Sequence, residues 1–160
     1  MRNIIAIIFL IFLSNCGYSS VYKVSKSNDI FMNIVSMQGD KLINNLIKNQ
    51  LELYSNVSSQ NIYNINISTN FQKITLAKNS SGAATNYQLT VNSDFEINFK
   101  GEIFNFSFKE NLDIKNFSDT FEQNNYENTI KVNFASSLRE KLIIKLLEKQ
   151  WLLNPMIQEK

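Results

Sequence analysis

The stretch ATNYQLTVNSDFEINFKGEIFNFSFKENLDI, residues 84–114, decides how the chain folds. From Tyr87 the apolar residues fall on odd numbers: Tyr87, Leu89, Val91, Phe95, Ile97 and Phe99. Gln88, Thr90, Asn92, Asp94, Glu96 and Asn98 lie between them. Side chains alternate between faces along a strand, so a period of two predicts one buried and one wet face. After Lys100-Gly101 the apolar residues move to even numbers, with Phe104, Phe106, Phe108, Leu112 and Ile114. A two-residue loop at Lys100-Gly101 makes paired numbers sum to an odd total. Ile97 then faces Phe104, Phe95 faces Phe106 and Leu89 faces Leu112, all on one side. Val91 would oppose Glu110, which predicts a bulge or frayed pairing there. Lys-Gly is a weaker turn signal than Asn-Gly, so a longer loop is the alternative. A hairpin with one apolar face needs a cover, and the flanking segments must supply it.

Upstream, Ile30 to Met37 carries apolar residues on both parities, which predicts a short strand buried on both faces. Asp40 is placed to cap a helix on which Leu42, Ile43, Leu46, Ile47, Leu53 and Tyr54 form the apolar stripe. Lys41, Asn44, Asn45 and Lys48 are expected to face away. Ile65, Ile67 and Phe71 give a second strand of odd parity. Ile74 and Leu76 continue it on even parity, which predicts a bulge near Gln72-Lys73. Asn79-Ser80-Ser81-Gly82 reads as a loop.

Downstream, 116–125 reads as a polar connection that packs Phe117 and Phe121 on the edge of the core. A long amphipathic helix is expected from Tyr126 to about Gln150. Its buried row is Ile130, Phe134, Leu138, Leu142 and Leu146, with Ala135, Ile143 and Leu147 alongside. Pro155 stops it after Asn154. The order β-α-β-β-β-α predicts a parallel first pair through a right-handed crossover, followed by an antiparallel meander. The fold class is therefore α+β: a two-layer sandwich of a four-stranded mixed sheet with two helices packed on one face.

The N-terminus has a different character. Arg2 precedes an apolar run from Ile4 to Leu13, too short to span a bilayer but suited to a signal-peptide core. The run ends in Leu13-Ser14-Asn15-Cys16-Gly17, which resembles the lipobox of bacterial lipoproteins, with Asn15 where that pattern takes Gly, Ala or Ser. The resemblance implies acylation of Cys16 as the first mature residue. Gly17 in place of Asp is similar to the pattern that sorts to the outer membrane. An ordinary secretory signal with an incidental Cys is the alternative. The expected organisation is a signal peptide at 1–15, an acylated Cys with a polar tether at 16–28, one α+β domain at 29–154 and a tail at 155–160.

Composition excludes more than it assigns. The 160 residues carry a net charge of +2, no His and one Cys. No basic cluster suits nucleic acid, and no Gly-rich phosphate loop or Gly-x-Ser-x-Gly turn is present. Asp94, Glu96 and Glu102 fall on the wet face or at the turn. Neither a catalytic set, a metal site nor a cofactor is expected, so the chain is not expected to be an enzyme.

The whole arrangement resembles the LPS-assembly lipoprotein family known as LptE. The residues that carry the likeness are Cys16-Gly17-Tyr18, Asn49-Gln50-Leu51, Ala84-Thr85-Asn86-Tyr87-Gln88-Leu89 and Leu142-Ile143-Ile144-Lys145-Leu146. The resemblance implies a lipid-anchored protein on the periplasmic face of the outer membrane. It also implies a β-barrel LPS-assembly partner (LptD-like) whose lumen the domain plugs and whose assembly it assists, and contact with lipopolysaccharide during its transport. The family's basic contacts lie near the sheet loops. Lys78 is close to one such position, Lys100 and Lys73 are candidates by location, and Gln123 stands near where a second basic residue would fall. Another membrane-anchored lipoprotein that binds an apolar ligand is the alternative. That function would need a cavity which the Phe and Ile residues are expected to fill.

Overall fold

The computed structural model describes residues 30–53 and 55–153, with side chains through Lys149. The signal, Cys16 and tether lie outside the described residues, as do Tyr54, the Asn154-Pro155 stop and the tail. Six elements follow in order: β1 (Phe31–Gly39), α1 (Lys41–Glu52), β2 (Ile62–Lys78), β3 (Ala84–Phe99), β4 (Glu102–Lys115) and α2 (Thr120–Leu153). The sheet order is β1-β2-β3-β4, with β1 parallel to β2 and the other pairs antiparallel. The α+β class, the element order and the mixed four-stranded sheet are those expected.

The central hairpin has the expected register, with Ile97 opposite Phe104, Phe95 opposite Phe106 and Leu89 opposite Leu112. Its loop is Lys100-Gly101 alone, with φ of 52° and 88°. Positive φ at both positions suits the tight turn that matches strand twist. Val91 does pair with Glu110, and the register there shows no bulge. The carboxylate is accommodated because it reaches α2, accepting from Ser137 Oγ at 2.6 Å and pairing with Lys141 Nζ at 2.6 Å. Partial burial alone would push the Glu110 carboxyl up. The hydrogen bonds from Lys141 and Ser137, with the charge of Lys141, outweigh that and hold it below its ordinary value.

The bulges lie elsewhere. In β1 the register skips Val35, between Ile34 opposite Ile65 and Ser36 opposite Asn66. The extra residue explains the apolar residues on both parities. Met32 and Ile34 face the helices before the bulge, and Met37 is in register with Ile67 after it. Thus β1 is a bulged edge strand and not one buried on both faces, with Val35 59% exposed. In β2 no bulge occurs at Gln72-Lys73. Pairing continues through Thr75 opposite Tyr87, and the shifts come at Thr75/Ala77 and Ala77/Lys78. Ile74, opposite Gln88, consequently sits on the face away from the helices, Leu76 falls in the first shift, and both are exposed.

Asp40 caps α1 as expected, its Oδ1 accepting from Ile43 N–H at 2.9 Å. The buried row of α1 is Ile43, Ile47 and Leu51, while Leu42 and Leu53 are exposed. Asn44, expected to face water, is buried because it ties three elements together. Its Nδ2 donates to the Gln38 carbonyl at 2.7 Å, and its Oδ1 accepts from Thr69 Oγ1 at 2.9 Å. Gly39 allows this turn. Its φ is +89°, and a Cβ there would fall 1.7 Å from the Thr69 carbonyl oxygen.

The second helix starts earlier than expected. Asp119 Oδ1 accepts from Phe121 and Glu122 N–H at 2.7 and 3.0 Å, so the polar segment from Thr120 is the first turn of α2 rather than connection. Phe121 is 73% exposed and off the core edge, and Phe117 is 38% exposed against Tyr126. The row Ile130, Phe134, Leu138, Leu142 and Leu146 is buried as expected, together with Ala135 and Ile143. Between the layers, Ile43, Ile47, Leu51, Ile65, Leu89, Ile97, Leu138 and Leu142 are wholly buried, so the interlayer space is packed with aliphatic side chains.

Candidate functional site

The helices cover one face of the sheet, and the other face is a continuous polar surface. Register aligns its residues into rows across all four strands. One row is Ser36, Asn66, Glu96 and Asn105. In it Ser36 Oγ donates to Asn66 Oδ1 at 2.8 Å, and Asn66 Nδ2 donates to Glu96 Oε1 at 2.9 Å. The next row is Gln38, Ser68, Asp94 and Ser107, where Ser107 Oγ donates to Asp94. A third begins with Asn33 Nδ2 donating to Asn64 Oδ1 at 2.8 Å. These cross-strand bonds hold short amide and hydroxyl side chains in fixed positions. A shallow depression of about 460 Å³ lies over the first two rows and opens to the surface. Apolar residues interrupt the face towards its margins, among them Phe31 and Ile62 at one end, Ile74 at the other, Val35 on the β1 edge and Ile103 on the β4 edge. Thr90 is the buried member of this face, in the middle strand between Gln72 and Asn111.

The three candidate lysines are not brought together. Lys78 ends β2, exposed and in register with Ala84 at the start of β3. Lys100 follows Phe99 at the far end of β3, its Nζ 5.0 Å from the Phe99 ring centre. The 16 residues of β3 separate them, roughly 50 Å of strand. Lys73 is on the helix side, where it pairs with Glu127 and sits 4.0 Å above the Tyr87 ring. Its charge is used inside the molecule.

Near Lys78 the fold adds a residue that the sequence reading missed. Lys115 ends β4 in register with Asn86, one row from the Lys78–Ala84 pair. Nothing local marks it, since only the register of a meander brings the end of β4 to the same end of the sheet as the end of β2, with β3 between them. Phe117, Phe121 and Tyr126 are exposed in the segment that follows. Gln123 is buried: its Oε1 accepts from Phe117 N–H at 2.8 Å and its Nε2 donates to Glu127. The position where a second basic residue was considered holds the connection to α2 in place.

Among the described residues no cluster of His, Cys, Asp or Glu could hold a metal ion. None of the described helices is long and apolar enough to cross a membrane.

No family model and no curated protein matches the sequence. Solved structures do share the fold. Rare lipoprotein B from Shewanella oneidensis aligns with a TM-score of 0.55 at 15% identity, over 74% of this chain and 99% of that one. A chain from Caulobacter crescentus described as a lipoprotein aligns with a TM-score of 0.50 at 14% identity, over 74% of this chain and 91% of that one. The two-layer arrangement of β1 to α2 is thus one that other bacterial chains adopt nearly whole.

Proposed function

We propose that this chain is a lipoprotein of the LPS-assembly type. Acylated at Cys16, it is held at the periplasmic face of the outer membrane, and its domain seats in the lumen of a β-barrel partner. The observation that carries this reading is the uncovered sheet face, lined with Asn, Ser, Gln and Thr and fixed by cross-strand hydrogen bonds. Barrel interiors are polar and wet, so a domain that fills one needs a rigid, polar and weakly charged surface. Two further observations support it: the lipobox-like Leu13-Ser14-Asn15-Cys16, and a fold shared with two bacterial chains described as lipoproteins. On this reading the chain binds and does no chemistry.

Contact with lipopolysaccharide belongs, in this proposal, at the end of the sheet that carries Lys78 and Lys115. Two exposed ammonium groups there can meet phosphates as point charges, beside exposed Phe117 and Phe121 that suit acyl chains. Lys100 belongs to the other end and Lys73 to an internal ion pair, so neither joins this site.

The test is expression of the full chain with the candidate barrel, followed by purification through a tag on the chain. A stoichiometric complex that survives detergent is expected. Cys16→Ala should abolish incorporation of labelled fatty acid while leaving that complex intact, because the contact is between proteins. Recovery of the chain alone, carrying a co-purified apolar ligand, would replace this reading with the carrier function. The packed interlayer core opposes that outcome.

A further inference from the structure

Among the described residues β4 is paired on one side only. β4 is an edge strand of 14 residues that contains no Pro and pairs with β3 without a register shift. The two-residue turn makes Phe99 and Glu102 the closing hydrogen-bonded pair. Even-numbered residues of β4 therefore direct their backbone groups to β3. Odd-numbered ones, from Ile103 to Lys115, direct theirs outward. Such a row of unpaired N–H and C=O groups is a template for another strand. The contacts of the second helix with β4 go to even-numbered, inner-face residues, through Ser137 and Lys141 at Glu110 and Lys149 over the Phe104 ring.

The side chains on the outward positions are complementary to themselves. Lys109 and Asp113 are both exposed, four residues apart, with Asn111 midway. When two copies of β4 pair antiparallel about a two-fold axis through Asn111, Lys109 of each lies opposite Asp113 of the other. Asn111 faces Asn111, and Ser107 faces Lys115. The overlap runs from 107 to 115, nine residues. Centring the pair on Lys109 or Asp113 would instead set like charges face to face, and centring it on Leu112 would oppose Lys109 to Lys115. Asp113 is the sole acid on the outward row, so no other register gives Lys109 an acidic partner. Opposite charges placed directly across a strand pair stabilise it, and like charges do the reverse. On the inner face Phe108 would lie opposite the second copy's Ile114. Leu112, 41% exposed, would lie opposite its Glu110, which Ser137 and Lys141 already hold, and diagonal to its Leu112 and Phe108.

We infer that the β4 edge is a self-association surface, on which a second copy of this chain pairs antiparallel through Asn111 to join the two sheets into one of eight strands. The inference stands apart from the barrel reading, since it rests on the edge and the charges of β4 alone.

The full chain, purified in detergent with Cys16→Ser to remove its native thiol, tests it by sedimentation and by cross-linking. A dimer is expected. Asn111→Cys should form an intermolecular disulfide under mild oxidation, because hydrogen-bonded partners sit ~5.5 Å apart between Cα atoms. Asn105→Cys, whose register partner would be Phe117 beyond the strand, should not. Asp113→Lys should weaken the dimer about tenfold, the size that two reversed cross-strand charge pairs imply. Lys109→Asp combined with Asp113→Lys should restore it, which separates lost pairing from lost folding. A chain that remains monomeric and gives no Asn111→Cys disulfide overturns the inference. So does a dimer indifferent to both the single reversal and the swap.

Discussion

Glu110 shows how one residue can look wrong in sequence and be right in space. On strand parity it belongs to the buried face opposite Val91, and a carboxylate there predicts a defect. The hydroxyl of Ser137 and the ammonium of Lys141, 27 and 31 residues later, supply what that position lacks. Glu110→Ala should therefore cost about 0.5–1.5 kcal/mol near neutral pH, the net range for lost hydrogen bonds, because Ser137 is only partly buried and Lys141 is 44% exposed and can turn to water. The pH dependence has a defined sign. The native carboxyl is held below its ordinary value of 4.5, so its contribution is fully present above that value. It is lost as pH falls through the depressed native value. Urea melts across the acid range should show a shallower loss of stability for Glu110→Gln than for the parent chain. Equal slopes would mean that the contact with Lys141 has no effect on the titration. Asn44 and Gln123 behave alike, as polar residues buried because each completes hydrogen bonds between elements.

At the scale of the element, alternation located the hairpin and its register but not the depth of each strand. Phe95 and Phe106 are direct partners, yet Phe95 is 1% exposed while Phe106 is only partly buried. The difference follows from strand order: β3 has neighbours on both sides, and β4 has one. Phe95→Ala should then destabilise by about 3–5 kcal/mol. Phe106→Ala should cost about half as much, because its side chain loses less buried area. Asn105→Ala, on the polar face, should change stability by no more than about 0.5 kcal/mol. Denaturant melts that rank Phe106 above Phe95 would contradict the edge position of β4. Bulges were misplaced for a related reason. A parity change in sequence fits a bulge or a strand that simply shows apolar residues on its other face. Val35 and Leu76 are the first case and Ile74 the second.

For the molecule as a whole, the consequence is that its two ends differ. Lys78→Glu with Lys115→Glu should weaken binding to lipopolysaccharide aggregates, most strongly at low salt, since exposed charges are screened as salt rises. Lys100→Glu, at the opposite end of β3, should leave binding unchanged, and both variants should melt near the parent midpoint. Loss of binding with Lys100→Glu alone would move the contact to the hairpin turn. The element order, the mixed sheet, the central register, the Asp40 cap and the buried row of α2 were all legible in the amino-acid sequence. Each depends on neighbours a few residues away or on a period that repeats along the chain. The residues that meet across space were decided by the tertiary structure alone: Lys141 on Glu110, Thr69 on Asn44 and Glu127 on Lys73; so was the placing of Lys115 at the same end of the sheet as Lys78. Periodicity states which face a side chain takes, whereas strand order and helix placement determine what it finds there.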